Sequence, residues 1–490
     1  MESGAHMDRN TQLHPWGAPE RLMVRYTFTI LEQHYQQLRQ SLLRDENEYG
    51  ALLLCGRSRQ IDPWTGVIEE RALVREVVDV PAEAFLDRTP TSLSWSTTPL
   101  FKLAKRAMVR DYAICVAHSH PGNGLFFSDS DDIADKESFG IVFGRMDTER
   151  PHFALVMDRS GEFLVRAYDS DLGAHPAEFV RVLGDRFHIR YPGRDRIANP
   201  AEFDRQSRAF GASTTEDLAH LRVGIVGCGG TGSAVASLLA RSGVTQFLLI
   251  DPDRVDITNL NRLHFSTRSD AIARRYKVDV VGDAIAQIGL ARSVVRIKQH
   301  ADSPECQDPL RACDVVFGCT DDHLGRNFLN RLAYFYMIPV IDMGVLIDPN
   351  EHGGYDSFDG RVTVIQPGYP CQVCRHLISS QKMLEEGMLR NDPARYEQYR
   401  RAGYVVGGTD PSPAVVTFTT EIAAVAVNEL LHRLTGFRGV QGHCAERVRR
   451  FDWIKDSDMV PGGKRNPDCP LCALRKHDGR GDMTPFLNQS

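Results

Sequence analysis

Long hydrophobic runs are missing from this sequence of 490 residues. No apolar stretch approaches the roughly 20 residues that a membrane-spanning helix needs, and no signal-peptide pattern is visible. Cysteine is also sparse: the chain has eleven, and four of them form two Cys-x-x-Cys pairs, which is not the pattern of a disulfide framework. We therefore expect a cytoplasmic protein without a membrane partner.

A surplus of positive charge is absent as well. The formal net charge is −6, which speaks against a nucleic-acid partner. Basic residues concentrate in the stretch 186–200, which carries two prolines and a glycine and is typical of a linker. Because the chain is long enough for two or three cores, we predict a first α/β domain over 20–185, this linker, a second α/β domain over 201–475 and a C-terminal tail over 476–490.

Hydrophobic periodicity predicts the elements of the first domain. Apolar residues spaced like one face of a helix predict a helix over 26–43, and compact apolar runs predict strands over 49–55 and 112–117. Two further runs, 153–157 and 163–167, are separated by a short polar turn and predict a β-hairpin.

A set of metal-ligand residues follows the predicted strand 112–117. His118 and His120 alternate along an extended segment, so their side chains project to the same side and both imidazoles can reach one ion. Asp131, at the predicted start of a helix, supplies a third ligand. Three protein ligands leave a fourth position for water, which is the arrangement of a catalytic zinc site.

A zinc-bound water needs a separate base to take its proton. Glu48 is the candidate, and Glu46, two residues away, is the alternative. The whole set resembles the JAB/JAMM metalloprotease family, whose pattern is a distant Glu followed by His-x-His-Pro-x6-Ser-x-x-Asp. The resemblance implies that zinc is bound by His118, His120 and Asp131, that Glu48 is the general acid/base, and that Ser128 holds the scissile carbonyl or its oxyanion.

A glycine-rich stretch dominates the second domain. The apolar run 223–226 leads into Gly-Cys-Gly-Gly-Thr-Gly at 227–232, then a helical pattern, then a second apolar run, 247–250, which ends at Asp251. This is the pattern of a βαβ half-unit, in which glycines let the backbone approach phosphates, the helix start offers N–H groups and the acid suits a ribose hydroxyl. Taken alone, the spacing would also suit NAD.

The continuation of the sequence favours ATP. A hydride-transferring enzyme does not need Arg262, Lys277 and the Thr-Asp-Asp motif ending at Asp322, whereas cleavage of ATP uses cations and a metal-binding carboxylate. The set resembles the ThiF/MoeB family, the adenylating enzymes that also form the core of ubiquitin-activating enzymes. The resemblance implies a site for ATP with Mg²⁺ built from Arg205, Gly227, Gly229, Gly230, Gly232, Asp251, Asp253, Asn259, Arg262, Lys277 and Asp321.

The same resemblance gives some of these residues separate roles. Arg262 and Lys277 would contact the phosphates, and Asp321 would bind Mg²⁺. Arg205 would reach the ATP of a second subunit, which implies a homodimer; an ordinary surface arginine is the alternative. Leu263 stands where the family has a glutamine, so that contact is missing.

The two cysteine pairs indicate a second metal. Cys371 and Cys374 follow the predicted strand 362–365, and Cys469 and Cys472 come much later in the chain. Two such pairs make a tetrahedral four-thiolate zinc site without an open position, which is structural rather than catalytic. The ThiF/MoeB family carries this zinc at matching places, although either pair alone would also suit redox chemistry.

The segment between the pairs departs from the family. Ubiquitin-activating enzymes place a nucleophilic cysteine there, whereas residues 375–443 contain none. Either the reaction stops at the acyl-adenylate or a hydroxyl takes the acyl group, and Thr409 and Ser412 are the hydroxyls of the predicted loop 407–413. An ordinary Gly/Pro turn is the alternative.

The sequence thus predicts a JAB/MPN-like α/β metalloprotease domain followed by a Rossmann-like ThiF/MoeB adenylation domain with a structural zinc. Two functions remain open. The first is a bifunctional enzyme that activates the C-terminal glycine of a ubiquitin-like protein and cleaves bonds made to it, with a conjugating enzyme on a separate chain. The second is activation and trimming of a sulfur-carrier protein. A role in defence and a role in metabolism are both compatible with the sequence.

Overall fold

The structure is a computed structural model, and it describes residues 23–122, 124–191, 200–402, 413–439, 448–460 and 463–482. The backbone is also described for two short strands, Thr11–Gln12 (β1) and Glu20–Arg21 (β2), which pair antiparallel. Among the described helices, none combines the length and the apolar character needed to span a membrane.

The first domain is built on a mixed sheet of nine strands. Strands β3 to β13 are, in chain order, Val24–Leu31, Gly50–Ile61, Ile68–Asp79, Phe85–Thr89, Ser92–Trp95, Ala113–His120, His152–Asp158, Phe163–Tyr168, Ala174–Pro176, Phe179–Leu183 and Phe187–Arg190. The sheet order is β11-β10-β9-β8-β4-β5-β3-β12-β13, and β6 and β7 form a separate ribbon. Its helices α1 to α3 are Glu32–Leu42, Thr98–Met108 and Asp129–Met146.

The predicted helix over 26–43 is wrong in its first part. Val24–Leu31 forms β3, which lies between β5 and β12 in the interior of the sheet, and only Glu32–Leu42 is helical. Ile30 on β3 and Leu38 on α1 pack into the same buried apolar cluster. Their apolar spacing therefore resembled one continuous helical face, although it comes from a strand followed by a helix. The predicted hairpin over 153–157 and 163–167 is confirmed as the antiparallel pair β9 and β10.

The stretch 186–200, predicted as a linker, begins with a strand. Phe187–Arg190 pairs antiparallel with Phe179–Leu183 and is the edge of the first sheet. Phe187 is buried in the apolar cluster that it shares with the second domain, and this contact holds the strand in place. Residues 192–199 lie outside the described part of the chain.

The second domain has a sheet of eight strands. Strands β14 to β21 are Arg222–Val226, Gln246–Ile250, Ser293–Ile297, Val315–Gly318, Val340–Pro349, Tyr355–Ile365, Val448–Asp452 and Ser457–Met459. The order is β16-β15-β14-β17-β18-β19-β20-β21, in which the strands from β16 to β18 are parallel and the rest antiparallel. Helices α4 to α13 are Asp204–Phe210, Ala212–His220, Gly230–Ser242, Arg268–Ile272, Lys277–Ile288, Gln307–Ala312, His323–Phe335, Ser380–Asn391, Pro393–Arg401 and Val416–Thr435.

The two domains are joined through the β4–β5 hairpin. Its tip, residues 62–67, lies at the amino-terminal ends of the central parallel strands, where Trp64 Nε1 donates to the carbonyl of Phe247 at 3.2 Å. Ligands of open α/β sheets bind at the carboxyl ends of the strands. The first domain is therefore attached at the amino-terminal ends of these strands. The predicted nucleotide site lies at their opposite, carboxyl ends.

A cluster of charged side chains is buried at this joint. Glu69 Oε2 accepts from Arg222 Nη1 at 2.6 Å, and Glu69 Oε1 accepts from Arg71 Nη2 at 2.8 Å. Asp314 Oδ1 accepts from Arg181 Nη2 at 2.6 Å and from Arg222 Nη2 at 3.1 Å. Burial opposes ionisation of Glu69, but the surrounding arginines outweigh it and hold the pKa of its carboxyl well below the usual range. The cluster therefore stays charged and fixes the joint.

A C-terminal strap, residues 475–482, runs from the second domain onto the first. Arg75 Nη1 donates to the carbonyl of Asp478 at 2.6 Å, and the backbone N–H of Arg59 donates to Asp482 Oδ2 at 2.7 Å. A Cβ on Gly56 would lie 1.9 Å from the carbonyl oxygen of Gly479, so the strap packs directly against the bare backbone of β4. The predicted tail is in this part an ordered connection between the domains.

Candidate functional site

The first candidate site lies where strand β8 ends and helix α3 begins. His118 and His120 are on β8, and their Nε2 atoms are 3.1 Å apart. Asp131, in the first turn of α3, places Oδ1 3.1 Å from His118 Nε2 and Oδ2 3.3 Å from His120 Nε2. Three ligand atoms at this spacing can hold one metal ion and leave a coordination position open, which fits zinc.

Ser128 is the N-cap of α3 and forms a capping box with Asp131. Its hydroxyl accepts from the Asp131 backbone N–H at 3.2 Å and donates to Asp131 Oδ2 at 2.8 Å. The Ser128 backbone N–H donates to the same oxygen at 2.7 Å. These bonds begin the helix and also orient the ligand carboxylate. The predicted contact between Ser128 and a scissile carbonyl stays a prediction.

Glu48 is the carboxylate that the fold brings to this site. It precedes β4, its side chain is almost completely buried, and its Oε1 lies 4.0 Å from His120 Nε2. The adjoining backbone is fixed because Tyr49 N–H donates to Ser119 Oγ and Ser119 N–H donates to the carbonyl of Tyr49, each at 3.0 Å. Burial raises the pKa of Glu48. Glu46 is exposed, so the geometry favours Glu48 as the base.

Two aromatic rings flank the histidines, and the sequence reasoning missed them. The ring centroid of Phe126 lies 5.6 Å from that of His120, and the centroid of Phe127 lies 6.4 Å from that of His118. Phe126 is 47% exposed and forms an apolar rim. The signal was a pair of apolar residues immediately before the helix cap. Such a rim lowers the local polarity and shields the site from bulk water.

The second candidate site is a cleft of about 510 Å³ at the carboxyl ends of the parallel strands. It brings together most of the predicted nucleotide residues. Those that line it are Gly227, Gly229, Gly230, Asp251, Asp253, Arg262, Lys277 and Asp321.

Two positions of the loop require glycine because a side chain would collide with a backbone carbonyl. Gly227 has φ of +92°, and a Cβ there would lie 2.7 Å from the carbonyl oxygen of Cys319. A Cβ on Gly232 would lie 1.8 Å from the carbonyl oxygen of Gly227. Gly232 therefore does not line the cleft; it lets helix α6 approach the loop closely.

Asp251 is held in place by the loop. Its Oδ2 accepts from the Cys228 N–H at 2.6 Å, and its Oδ1 accepts from the Asp253 N–H at 2.8 Å. Burial raises the pKa of Asp251. Lys277 Nζ lies 2.8 Å from Asp253 Oδ2, and burial of the lysine is outweighed by Asp251 and Asp253, which raise its pKa. Lys277 is therefore a fixed cation next to the predicted ribose ligand.

The remaining predicted residues lie at or beyond the rim. Arg262 donates to the carbonyl of Thr258 at 2.7 Å and keeps a half-exposed side chain at the cleft, where Asp321 is exposed as well. Asn259 Oδ1 accepts from the Asp256 N–H at 3.1 Å, so this side chain caps a turn and does not line the cleft. Arg205 is exposed on α4, away from the cleft of its own chain.

The four predicted cysteines converge. Cys371 Sγ lies 3.5 Å from Cys469 Sγ, and Cys374 Sγ lies 3.4 Å from Cys472 Sγ. All four sulfur atoms are within 4.8 Å of one another, which suits tetrahedral zinc without an open position. Thr409 and Ser412, the predicted acyl acceptors, lie outside the described residues, and their role stays a prediction.

Helix α11 adds cleft residues that the sequence did not single out. Glu386, Leu389 and Arg390 line the cleft opposite the glycine loop. Glu386 Oε1 accepts from the His323 N–H at 2.9 Å, and its Oε2 accepts from the Leu324 N–H at 2.8 Å. The position of α11 at the cleft depends on the tertiary fold, so no local pattern could have identified these residues.

Two family models match the chain in separate segments. Residues 203–471 match the ThiF family, and residues 31–184 match the prokaryotic homologs of the JAB domain.

Individual proteins resemble the chain over part of its length. The molybdopterin-synthase adenylyltransferase of Escherichia coli (strain K12) is 31% identical over 39% of this chain and 69% of its own length. The adenylyltransferase and sulfurtransferase MOCS3 of Caenorhabditis briggsae is 27% identical over 54% of this chain and 57% of its own length. The SAMP-activating enzyme E1 of Haloferax volcanii is 26% identical over 35% of this chain and 62% of its own length. The chain thus spans less than two thirds of the latter two.

Among solved structures, a crystal structure of Escherichia coli MccB with ATP has a TM-score of 0.43 and 18% identity, over 56% of this chain and 75% of that one.

The ThiF match covers more than half of the chain, and its segment contains the glycine loop and most of the cysteine cluster described above. The chain therefore belongs to the ThiF family, and its ThiF domain is preceded by a JAB domain.

Proposed function

We propose that this chain is a bifunctional enzyme of a ubiquitin-like conjugation system. Its second domain would adenylate the C-terminal glycine of a ubiquitin-like protein, and its first domain would cleave bonds made to that glycine. The observation that carries the proposal is the presence of two convergent ligand sets on one chain: a metal-ligand triad with Glu48 beside it, and an ATP-sized cleft that contains Asp251, Lys277 and Asp321.

For cleavage, His118, His120 and Asp131 would hold zinc, which supplies a Lewis acid and a water of lowered pKa when bound. Glu48 is placed to take the proton of the attacking water and to deliver it to the leaving amine. Its burial favours this exchange because it raises the pKa of the carboxyl toward neutrality.

For adenylation, an oxygen of the terminal carboxylate would form a bond to the α-phosphorus of ATP. The bond to the bridging oxygen breaks, and pyrophosphate leaves with the electron pair. Lys277 and Arg262 are the cations that offset the charge developing on the phosphates. Asp321 would hold Mg²⁺ with the leaving pyrophosphate, and Asp251 would fix the ribose.

The fate of the acyl group completes this proposal. Since residues 375–443 contain no cysteine, we propose that the chain either stops at the acyl-adenylate or passes the acyl group to Thr409 or Ser412. A hydroxyl ester would survive reductant and open in hydroxylamine. An adduct lost on reductant would point instead to a cysteine. A separate conjugating enzyme would accept the activated protein, and Arg205 of a second copy would complete the ATP site of a homodimer.

A second candidate function is activation and trimming of a sulfur-carrier protein. The similarity to the molybdopterin-synthase adenylyltransferase of Escherichia coli favours it. The two candidate functions predict different products. The first yields a conjugate linked through an amide bond, and the second yields a carrier protein that receives sulfur at its C-terminus.

Exchange of labelled pyrophosphate into ATP tests the adenylation proposal. Exchange should require a ubiquitin-like protein that ends in glycine and should disappear when that glycine is removed. Exchange driven by free amino acids or fatty acids would contradict the proposed substrate class. For the first domain, a linear fusion and a branched conjugate of the same ubiquitin-like protein should both be cleaved in the presence of zinc.

A further inference from the structure

Arg390, near the end of α11, contacts two acidic residues that follow different strands of the second sheet. Its Nη2 donates to Asp322 Oδ2 at 2.6 Å. Its Nη1 lies 3.1 Å from Asp302 Oδ1 and 3.2 Å from Asp302 Oδ2. The three side chains are only partly exposed, and that of Arg390 has 22% of its surface exposed. We name this arrangement, Asp302–Arg390–Asp322, the arginine bridge.

The strand order shows where the arginine bridge runs. Asp302 follows β16 and Asp322 follows β17, and the sheet order is β16-β15-β14-β17. The carboxyl ends of β15 and β14 therefore lie between the two acids. These ends carry Asp251 and the glycine loop, which form the floor of the cleft. The bridge thus spans the mouth of the cleft from one side to the other.

Helix α11 is held at the same place by two other contacts. Glu386 accepts from two N–H groups at the start of α10, as described above. The backbone N–H of Ser379, the N-cap of α11, donates to Nδ1 of His323 at 3.1 Å. Both contacts lie on the β17 side, whereas the arginine bridge also reaches Asp302 on the β16 side. Opening of the bridge would therefore free one side of the mouth while α11 stays attached on the other.

We propose that Arg390 is a positioning residue of the adenylation site, which locks α11 over the bound nucleotide. ATP enters and pyrophosphate leaves when the bridge is open, and the closed bridge keeps water from the acyl-adenylate. The inference rests on the proposed function, because an acyl-adenylate needs protection from hydrolysis until its acceptor arrives. It adds to the cleft a lid whose closure depends on one side chain.

The test uses the full chain and a fluorescent ATP analogue in stopped-flow binding. Arg390→Gln should accelerate both association and dissociation of the nucleotide, with dissociation about tenfold faster, as expected for loss of charged hydrogen bonds. Arg390→Lys keeps a cation between the two acids and should return both rates toward wild type. Arg401→Gln, on the exposed side of α12, is the matched control and should change neither rate.

The outcomes separate the inference from the proposed function. If the wild-type chain binds no nucleotide, the proposed function fails. If it binds nucleotide and Arg390→Gln leaves both rates unchanged, the lid is refuted. A merely structural role of Arg390 would weaken binding without accelerating association, and Arg390→Lys would not rescue it. Should Arg390→Gln not fold, Asp302→Asn removes the acid of the bridge on the β16 side and should shift both rates in the same direction; unchanged rates would again refute the lid.

Discussion

Arg181 Nη2 lies 2.6 Å from Asp314 Oδ1, and both side chains are almost completely removed from solvent. Arg181 is on β12 of the JAB domain, and Asp314 immediately precedes β17 of the ThiF domain. Buried opposite charges stabilise a structure only when each finds its partner, because an unpaired buried charge is strongly unfavourable. The two domains are thus held in one relative position.

Replacing Asp314 with Asn should destabilise the protein by about 3–5 kcal/mol, because it removes one of the two carboxylates that the buried Arg181 and Arg222 share. Chemical unfolding of the full chain measures this loss. Glu397→Gln removes an exposed carboxylate that pairs with Arg400 and should have no measurable effect. Equal stabilities of the two variants would show that the buried cluster contributes little.

Replacing Glu48 with Gln should abolish cleavage of a ubiquitin-like fusion while zinc stays bound, because the change removes the base and keeps the three ligands. Cleavage assays combined with metal analysis of the purified variant measure both effects. Glu46→Gln is the matched control, since Glu46 is exposed, and should cleave at the normal rate. A fully active Glu48→Gln variant would mean that another group takes the proton.

Replacing Asp321 with Ala should remove pyrophosphate exchange, because the cleft loses the carboxylate predicted to bind Mg²⁺. The loss should not be overcome by raising the ubiquitin-like protein to saturation. Asp356→Ala, an exposed carboxylate outside the cleft lining, should exchange at the wild-type rate. Exchange that persists in Asp321→Ala would assign the metal to a different carboxylate.

Removal of the zinc predicted for the cysteine cluster should loosen the contact between the domains. The C-terminal strap begins three residues after Cys472 and continues onto β4, so its anchor is lost with the metal. Small-angle scattering before and after chelation should show a larger radius of gyration. Asp482→Ala should weaken the same contact with the cluster intact, whereas His118→Ala, which affects the other metal site, should keep the compact shape.

His152 should make the protein less stable in mild acid. It is fully buried, and burial together with Arg57 holds its pKa well below the usual value. The unfolded chain therefore binds the proton first as the pH falls below about 6.5, and stability drops by up to about 1.4 kcal/mol per pH unit. His152→Gln retains an acceptor for the Ile114 N–H and should flatten this slope in unfolding experiments between pH 7 and 5.5. An unchanged slope would exclude His152 as its source.

The sequence alone predicted the site residues where the chemistry depends on residues that are close together in the chain. His118 and His120 are brought together by strand geometry alone, and Gly227 is required by a backbone turn. The four cysteines could also be predicted, because two Cys-x-x-Cys pairs in one domain favour a single tetrahedral metal site.

Long-range relationships could not be predicted from local patterns. Arg390 meets Asp302 and Asp322 only once α11 is placed at the cleft, and Gly56 matters only because the strap crosses it. The edge strand at Phe187–Arg190 was hidden by its basic residues. In each case the deciding contact joins segments that no spacing rule connects.

The attachment of the β4–β5 hairpin to the amino-terminal edge of the ThiF sheet has a kinetic consequence. His118 pairs with Gly50 at the start of β4, and the hairpin tip lies at its other end, roughly 36 Å away along a strand of 12 residues, because 11 steps separate its ends at about 3.3 Å each. The nucleotide cleft lies beyond the tip, on the far edge of the second sheet. Under the proposed function, a ubiquitin-like protein cannot be handed from one active site to the other while it stays bound. Activation and cleavage would then compete only through the concentrations of free and conjugated protein. If cleavage were as fast as activation, the two activities together would consume ATP in a futile cycle.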